Sequence, residues 1–204
     1  HRFDESVSPG PLHPINQVTW YDAASYCNWL SEQEGVPRDQ WCYDPNQPFA
    51  EGMRVPEDFL ERQGYRLPTE SEWEFGCRSG SVTSRYYGRG EGLLPRYGWF
   101  LKNADDRAWP VGGLRPNELG LFDMLGNVME WCEDVYNEPQ EYKNGQRDDI
   151  ENRIHMILKE QTVLISRSGC SNYPPVNVRS AVRYNGRPSL AYHALGFRPV
   201  RTLP

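Results

Sequence analysis

Short apolar clusters that end at glycine, proline or asparagine limit what this chain can fold into. Such clusters occupy positions 97–100, 109–111, 119–122 and 162–165. Glycine and proline interrupt helices and strands alike, so long regular elements are excluded over most of the chain. The content of 38% apolar and 13% aromatic residues is nevertheless enough for one aromatic-rich core. We therefore expect residues 1–204 to form a single domain with little regular structure.

Two segments carry the start signals of short helices. Thr19 can cap the first, and Asp22 lies three residues further on, where a carboxylate favours the amino end of a helix. Thr69 and Glu72 have the spacing of a capping box at the start of the second. The first predicted helix carries Ala23, Cys27 and Leu30 on one face before Gly35, and the second carries Trp73 and Cys77 before Gly80.

Net charge and apolar patterning exclude two classes of partner. The net charge is −6 and the isoelectric point is about 5.3, and the arginines are spread between glycines and aromatic residues, so the chain does not attract polyphosphate. No apolar run approaches the length of a membrane span, and the first residues lack the charged start and apolar stretch of a signal peptide. We expect neither a nucleic-acid partner nor a membrane span.

The cysteines indicate the redox compartment. There are five, an odd number with no C-x-x-C pair, which favours a reducing compartment such as the cytoplasm. Display at a cell surface through a preceding segment stays open as an alternative. Cys27, Cys77 and Cys132 are expected to be buried core residues, and Cys42 is left undecided between the core and a partner contact.

Two stretches do not contribute to the predicted core. Residues 1–12 are polar and turn-forming and contain no element that could close a sheet, which indicates the C-terminal part of a longer chain. Residues 137–152 have almost no apolar content, so we expect a solvated or disordered insertion there.

The C-terminal segment, residues 167–201, combines a rigid frame with residues of no consistent type. The frame residues are Arg179, Ser180, Ala181, Arg183, Pro188, Gly196, Phe197 and Arg198. The residues between them show neither helical nor alternating periodicity, so we expect loops with a composition similar to antibody paratopes. The predicted ligand-binding residues are Tyr173, Asn177, Tyr184, Asn185, Arg187, Tyr192 and His193.

Three motifs occur in order along the chain, namely YRLPTESEWE at 65–74, LGLFDMLGNVMEW at 119–131, and the frame from Arg-Ser-Ala to Gly-Phe-Arg at 179–198. From about Pro14 onward the chain resembles the formylglycine-generating enzyme, or sulfatase-modifying factor, domain family. The resemblance implies an α+β variant of the C-type-lectin-like fold, with two short helices around a small antiparallel sheet and long ordered loops. It also implies that Arg66, Pro68 and Glu70 pin the second helix to the sheet by buried charge-assisted hydrogen bonds.

The second motif implies a structural calcium site. Members of the family hold Ca²⁺ with the residue before a turn, two backbone carbonyls within it and a glutamate, which are hard oxygen donors. The corresponding positions here are Asp123, Gly126, Val128 and Glu130. The alternative is a metal-free turn that hydrogen bonds from Asn127 and Glu130 stabilise. A second calcium site of the family corresponds to residues 103–107, and its ligands cannot be assigned.

The resemblance also bears on catalysis. Enzymes of the family oxidise a cysteine of unfolded sulfatases to formylglycine with two cysteines, five residues apart, that bind copper(I) as soft thiolates. This chain has only Cys170 in that segment, so copper is not expected and an oxidase would depend on Cys170 alone. Another branch uses non-haem iron, but His1, His13, His155 and His193 show no ligand spacing.

We therefore predict a non-catalytic module that recognises a protein or other ligand through its C-terminal loops. Its C-terminal segment resembles that of variable proteins diversified by retroelements, which vary surface residues and keep the frame. Two alternatives stay open: a copper-dependent formylglycine-generating oxidase that acts on sulfatase cysteines, and the sensor domain of a bacterial protein kinase or other effector. The class of ligand stays open too, because aromatic and polar loops bind proteins, glycans and small molecules alike.

Overall fold

A computed structural model of the chain describes residues 4–136 and 157–202, so the predicted insertion at 137–152 lies outside the described residues. The helices are α1 (Trp20–Gln33) and α2 (Glu70–Arg78), with 3₁₀ turns at Arg38–Gln40, Leu94–Arg96 and Pro175–Asn177. The strands are β1 (Tyr65–Arg66), β2 (Met129–Val135), β3 (Leu164–Arg167), β4 (Tyr184–Gly186), β5 (Leu195–Phe197) and β6 (Val200–Arg201). None of the helices in the described ranges combines the length and the apolar character needed to cross a membrane.

Both predicted helix starts are confirmed, and each is a reciprocal capping box. In α1 the Thr19 hydroxyl accepts from the Asp22 amide at 3.0 Å, and the Asp22 carboxylate accepts from the Thr19 amide at 2.9 Å. In α2 Thr69 and Glu72 form the same pair of bonds at 3.1 and 2.8 Å. Each box satisfies two backbone donors that have no partner within the helix.

The larger sheet has the strand order β4-β3-β2-β5, and β1 pairs with β6 in a two-stranded sheet. The pairs are antiparallel as predicted, except that β5 runs parallel to β2 with Met129 opposite Leu195. A parallel pair needs a long connection, and here the chain passes through β3 and β4 before it reaches β5. The predicted α+β fold is therefore confirmed, although β5 is parallel and not antiparallel to its neighbour β2.

Strand β2 separates two hydrophobic clusters. Trp131 packs with Trp20 in one cluster, whereas Cys132 packs with Trp73 in the other. Successive side chains of a strand point to opposite faces, so this one strand contributes to both clusters. The indole of Trp131 donates to the carbonyl of Val18 at 3.1 Å, which satisfies its polar group inside the core.

A buried arginine joins α2 to the larger sheet. The fully buried guanidinium of Arg167, at the end of β3, donates to Glu70 and, at 2.6 Å, to Glu74. It also donates to the carbonyl of Ser180, and it lies over the ring of Trp73. One side chain of the sheet thereby holds two turns of the helix and the start of the C-terminal loops.

The predicted anchor Arg66 also holds α2. Its guanidinium donates to both carboxylate oxygens of Glu72, at 2.6 and 2.7 Å, and the carbonyl of Pro68 accepts from the Glu133 amide at 2.9 Å. Arg66 therefore pins the helix through Glu72, while Glu70 does so through Arg167.

Two carboxyl groups of β2, those of Glu133 and Asp134, are buried. The hydroxyl of Tyr43 donates to Glu133 at 2.8 Å, and the amide of Glu70 donates to Asp134. Burial raises the pKa of Glu133 to about 8 and that of Asp134 to about 7. In the folded protein both pKa values exceed those of exposed carboxyls, so folding favours the protonated forms. Stability is therefore lost as the pH rises from the pKa that each group has in the unfolded chain to the pKa that it has in the folded protein.

Replacement of Arg167 by alanine should lower the free energy of unfolding by about 3–5 kcal/mol, because the substitution removes one partner of a buried ion pair. Urea denaturation followed by tryptophan fluorescence measures this change. Arg89→Ala, which truncates an exposed arginine, is the control and should change stability by less than about 0.5 kcal/mol. Equal losses in the two variants would contradict the anchoring role of Arg167.

Replacement of Glu133 by glutamine should flatten the pH dependence of stability. The wild-type melting temperature should fall between pH 5 and pH 8, because in this range the Glu133 carboxyl is ionised in the unfolded chain but is held protonated in the folded protein, where its pKa is about 8. Glutamine does not ionise, so the fall in melting temperature should be smaller. The difference should be about 2–4 °C for each kcal/mol of unfolding free energy that no longer depends on pH. The control is Glu118→Gln on the surface; parallel melting profiles of wild type and Glu133→Gln would show that Glu133 does not titrate in this range.

Candidate functional site

The frame residues fix the C-terminal segment to the rest of the domain. Arg183 donates to both carboxylate oxygens of Glu70, at 2.7 and 2.9 Å. Arg198 donates to both oxygens of Glu130, at 2.8 and 3.0 Å. Gly196 is required for space, because a Cβ there would lie 2.4 Å from a backbone carbonyl oxygen. These three frame residues therefore have a structural role. The predicted ligand-binding residues are other residues of the C-terminal segment.

Three of the predicted ligand-binding residues are tyrosines that pack against the core beside Cys170. Tyr173, Tyr184 and Tyr192 are half-buried at the edge of the cluster that contains Cys170. The rings of Tyr173 and Tyr184 lie 5.2 Å apart, and the Tyr184 hydroxyl donates to the carbonyl of Asn177 at 2.9 Å. Each tyrosine thus presents only part of its surface to solvent.

The expectation that these residues all lie in loops is wrong for Tyr184 and Asn185. Both belong to β4, the edge strand of the larger sheet, where Tyr184 is opposite Ser166 of β3. The segment is only three residues long, which is too short for an alternating pattern to be recognised in the sequence.

The exposed members of the predicted set are polar. Asn185 follows Tyr184 along β4, so its side chain points to the opposite, solvent-facing side of the strand. The side chain of Arg187 is 63% exposed, and its guanidinium lies 3.8 Å from Glu160. The ring of the half-buried His193 contacts that of Tyr192 at an angle of 49°, with the ring centroids 4.1 Å apart. The seven residues therefore form no single cavity lining but a surface of tyrosine edges with polar groups around them.

Cys170 has the properties of a core thiol. It is fully buried, its Sγ donates to Asn172 Oδ1 at 3.0 Å, and burial raises its pKa to about 12. The four other cysteines are also buried, as predicted for Cys27, Cys77 and Cys132, and Cys42 proves to be a core residue. None of the five forms a disulfide. At neutral pH the Cys170 side chain is a protonated thiol, which is a poor ligand for copper(I).

The predicted calcium ligands come together, but the donors are only partly available to a metal. Asp123 Oδ2 accepts from the Gly112 amide at 2.7 Å, and Oδ1 is buried with no donor among the described residues. Glu130 is fully engaged, since Arg198 donates to both of its oxygens and Trp73 donates to one of them at 2.7 Å. A Ca²⁺ ion at this turn would have to share the oxygens of Glu130 with the Arg198 guanidinium.

The turn between these acids is held by hydrogen bonds. Asn127 Oδ1 accepts from the Trp109 amide at 2.9 Å, and its Nδ2 donates to the Trp109 carbonyl at 3.0 Å. The carbonyl of Gly126 accepts from the Ser168 hydroxyl at 3.0 Å. Asn127 thus makes the hydrogen bonds that the metal-free alternative expects of it, whereas Glu130 is bonded to Arg198 and Trp73. Calcium at this turn stays a prediction, as does its second site at 103–107.

Asp123 and Glu130 line a cleft that sequence reasoning missed. The cleft encloses about 390 Å³ and has mainly apolar walls. Its apolar wall residues are Pro14, Ile15, Val111, Phe122, Val128, Phe197 and Pro199. The sequence contains a signal for this cleft, because two of the short apolar clusters, 109–111 and 119–122, contribute Val111 and Phe122 to its walls. Their exposure at the surface could not be deduced from the sequence pattern.

Curated relatives match most of the chain. "Chaperone protein LppX" of Paenibacillus barcinonensis is 32% identical over 68% of this chain and 58% of its own length. The formylglycine-generating enzyme of Streptomyces coelicolor is 28% identical over 94% of this chain and 54% of its own length. "Serine/threonine-protein kinase pkn1" of Chlamydia caviae is 28% identical over 94% of this chain and 25% of its own length. The chain thus spans between a quarter and somewhat more than half of these relatives.

Solved structures share the fold. Treponema denticola variable protein 1 superposes with a TM-score of 0.75 at 26% identity, covering 98% of this chain and 74% of that protein. PvdO from Pseudomonas aeruginosa superposes with a TM-score of 0.71 at 28% identity, covering 95% and 64%. A family model described as the sulfatase-modifying factor enzyme 1-like domain matches residues 2–203. The chain therefore belongs to the sulfatase-modifying factor (formylglycine-generating enzyme) domain family.

Proposed function

We propose that this domain is a non-catalytic ligand-recognition module that binds through the C-terminal segment. The observation that carries the proposal is the burial of Cys170, with a thiol pKa of about 12, beside a surface of tyrosines and exposed polar residues. The contact residues are the exposed Asn185 and Arg187, together with the exposed edges of the half-buried Tyr173 and Tyr192. Aromatic and arginine side chains are the best anchors in such surfaces.

The chemistry of the thiol argues against the copper-dependent alternative. A linear copper(I) site needs two thiolates. The C-terminal segment holds one cysteine, and burial keeps that cysteine protonated and away from solvent. Oxygen activation by the mechanism of the family's enzymes would require a second soft ligand that the segment does not contain.

The separation of frame and contact residues supports a recognition role. Arg183, Arg198 and Gly196 are committed to internal contacts, whereas Asn185 and Arg187 can be exchanged without disturbing the core. The likeness to Treponema denticola variable protein 1 supports a scaffold whose surface residues vary. Ligand class and cellular compartment stay predictions.

A sensor role is the second candidate. The relative from Chlamydia caviae is named a serine/threonine-protein kinase, and the match covers only 25% of its length. In that protein a domain similar to this one is accompanied by a much longer remainder. Recognition through the C-terminal segment would then control an attached effector, so this candidate shares the binding surface with the first.

An oxidation assay tests whether the domain is an enzyme. The full chain is incubated with copper(I), oxygen and a peptide that carries the Cys-x-Pro-x-Arg sulfatase motif, and mass spectrometry follows the peptide. We expect no formylglycine, because Cys170 is a buried thiol without a thiolate partner. The formylglycine-generating enzyme of Streptomyces coelicolor serves as the positive control. Product that disappears in Cys170→Ala would overturn the proposal.

A binding assay tests the surface. Peptides selected from a displayed random library against the wild-type domain should bind Arg187→Ala at least about tenfold more weakly, since an arginine anchor contributes more than about 1 kcal/mol. Affinities are measured by calorimetry. Arg89→Ala removes an exposed arginine outside the C-terminal segment and should bind like wild type. Selected peptides that bind both variants equally would place the recognition surface elsewhere.

A further inference from the structure

The outer face of α1 is aromatic at its centre, where the solvent side of a helix is normally polar. The exposed residues of this helix recur every three or four positions and form one stripe, which is the outer face of α1. They are Asp22, Ser25, Tyr26, Trp29, Glu32 and Gln33. Tyr26 and Trp29 are 43% and 48% exposed. Adjoining exposed aromatic side chains mark interaction surfaces, and tryptophan and tyrosine are frequent anchors in them.

The aromatic rings of this face support one another. The ring centroid of Tyr26 lies 5.2 Å from that of Trp29 and 5.4 Å from that of Phe197 in β5. Phe197 is half-buried and packs against the hydrophobic cluster that contains Trp20. The two exposed rings are therefore positioned before a partner arrives, so binding costs little side-chain entropy.

The charge of this face is negative. Helix α1 contains two acidic residues, Asp22 and Glu32, and no lysine or arginine. Asp22 caps the helix, whereas the Glu32 carboxylate forms no hydrogen bond or ion pair within residues 4–136 and 157–202. A second copy of the chain would present the same negative charge, which disfavours pairing of this face with itself. The complementary partner is positively charged.

Helix α2 shows which cation such a pair of side chains holds. The guanidinium of Arg167 lies over the ring of Trp73, 5.2 Å from its centroid, and pairs with Glu70 one turn earlier on the same helix. Trp29 and Glu32 have the same three-residue spacing, so they also lie one turn apart on one side of a helix. On α2 the arginine comes from the sheet, whereas on α1 the pair faces solvent.

The end of α1 repeats the arrangement with a tyrosine. Arg201 lies over the ring of Tyr65, 5.6 Å from its centroid, and pairs with Glu34 at 3.1 Å. A planar guanidinium can stack on an aromatic ring and bind a carboxylate through two hydrogen bonds, whereas an ammonium is a point charge. The outer face of α1 therefore suits an arginine better than a lysine.

We propose that the outer face of α1 docks a basic segment of a partner polypeptide through an arginine, whose guanidinium stacks on Trp29 and pairs with Glu32. Tyr26 and the exposed edge of Phe197 receive an apolar side chain next to that arginine. None of the seven predicted ligand-binding residues belongs to this face. The face is thus a second interaction surface, and it stands independently of the function proposed above.

Titration of the isotopically labelled full chain with the capped dipeptide acetyl-Arg-Leu-amide, followed by NMR, tests the proposal. The indole N–H resonance of Trp29 and the amide resonance of Glu32 should shift with a dissociation constant of roughly 1–10 mM, as so small a ligand allows. The citrulline peptide has the same stem and a planar end group without charge, and it should bind at least about fivefold more weakly. The lysine peptide should also bind more weakly than the arginine peptide.

Two variants, each with a matched control, assign the interaction to this face. Glu32→Gln removes only the charge and should bring the affinity for the arginine peptide close to that for the citrulline peptide. Its control is Glu118→Gln at another exposed glutamate. Trp29→Leu keeps an apolar side chain but removes the ring, and it should weaken binding at least about fivefold. Its control is Phe75→Leu, which removes a 74% exposed ring from α2 and should bind like wild type.

Three results would overturn the proposal. The first is an absence of shifts at Trp29 and Glu32 with the arginine peptide. The second is equal affinity of the wild-type chain for the arginine and citrulline peptides, which would mean that the face binds apolar groups without regard to charge. The third is a shift of the Trp29 indole resonance with protein concentration in the absence of peptide, which would assign the face to a second copy of this chain.

Discussion

The buried guanidinium of Arg167 is the interaction on which the rest of the structure depends. It lies where β3 ends, and it connects the sheet to α2 through Glu70 and Glu74 and to the C-terminal loops through the carbonyl of Ser180. Burial of an ion pair is favourable only when its hydrogen-bonding groups are satisfied and its geometry is good. Both terminal nitrogens of Arg167 are satisfied, whereas its buried Nε has no partner among the described residues, so the pair ties helix, sheet and loop together without full satisfaction of the guanidinium.

Glu70 extends this network to the C-terminal segment, where we propose the recognition surface. Arg167 and Arg183 donate to the same carboxylate, one from β3 and one from just before β4. The edge strand that presents Tyr184 and Asn185 is thereby tied to the interior by charge rather than by a long ladder of backbone bonds. Such a connection leaves the outward side chains of the strand free of backbone constraints on their type.

The helices could be predicted from the sequence because their caps are local. The frame could be predicted because its residues belong to a long motif. The capping boxes of Thr19 and Thr69 act over three residues, and both are formed. The parallel pairing of β5 with β2 could not be predicted, since it joins Met129 to a residue more than sixty positions away. The cleft beside Asp123 was missed for the same reason, because its walls come from distant parts of the chain. The burial of Cys170 follows from tertiary packing and left no local signal.

The positions of the last two strands have a consequence for synthesis. Strand β5 completes the larger sheet against β2, and β6 completes the small sheet against β1, with Arg201 opposite Tyr65. Neither sheet can close while residues 195–201 are still being translated, so the earlier strands must wait with unpaired edges. Contacts between such distant positions slow folding, and unpaired strand edges favour association with other chains. Until translation passes β6, a nascent copy of this chain therefore keeps one edge of β1 and one edge of β2 unpaired.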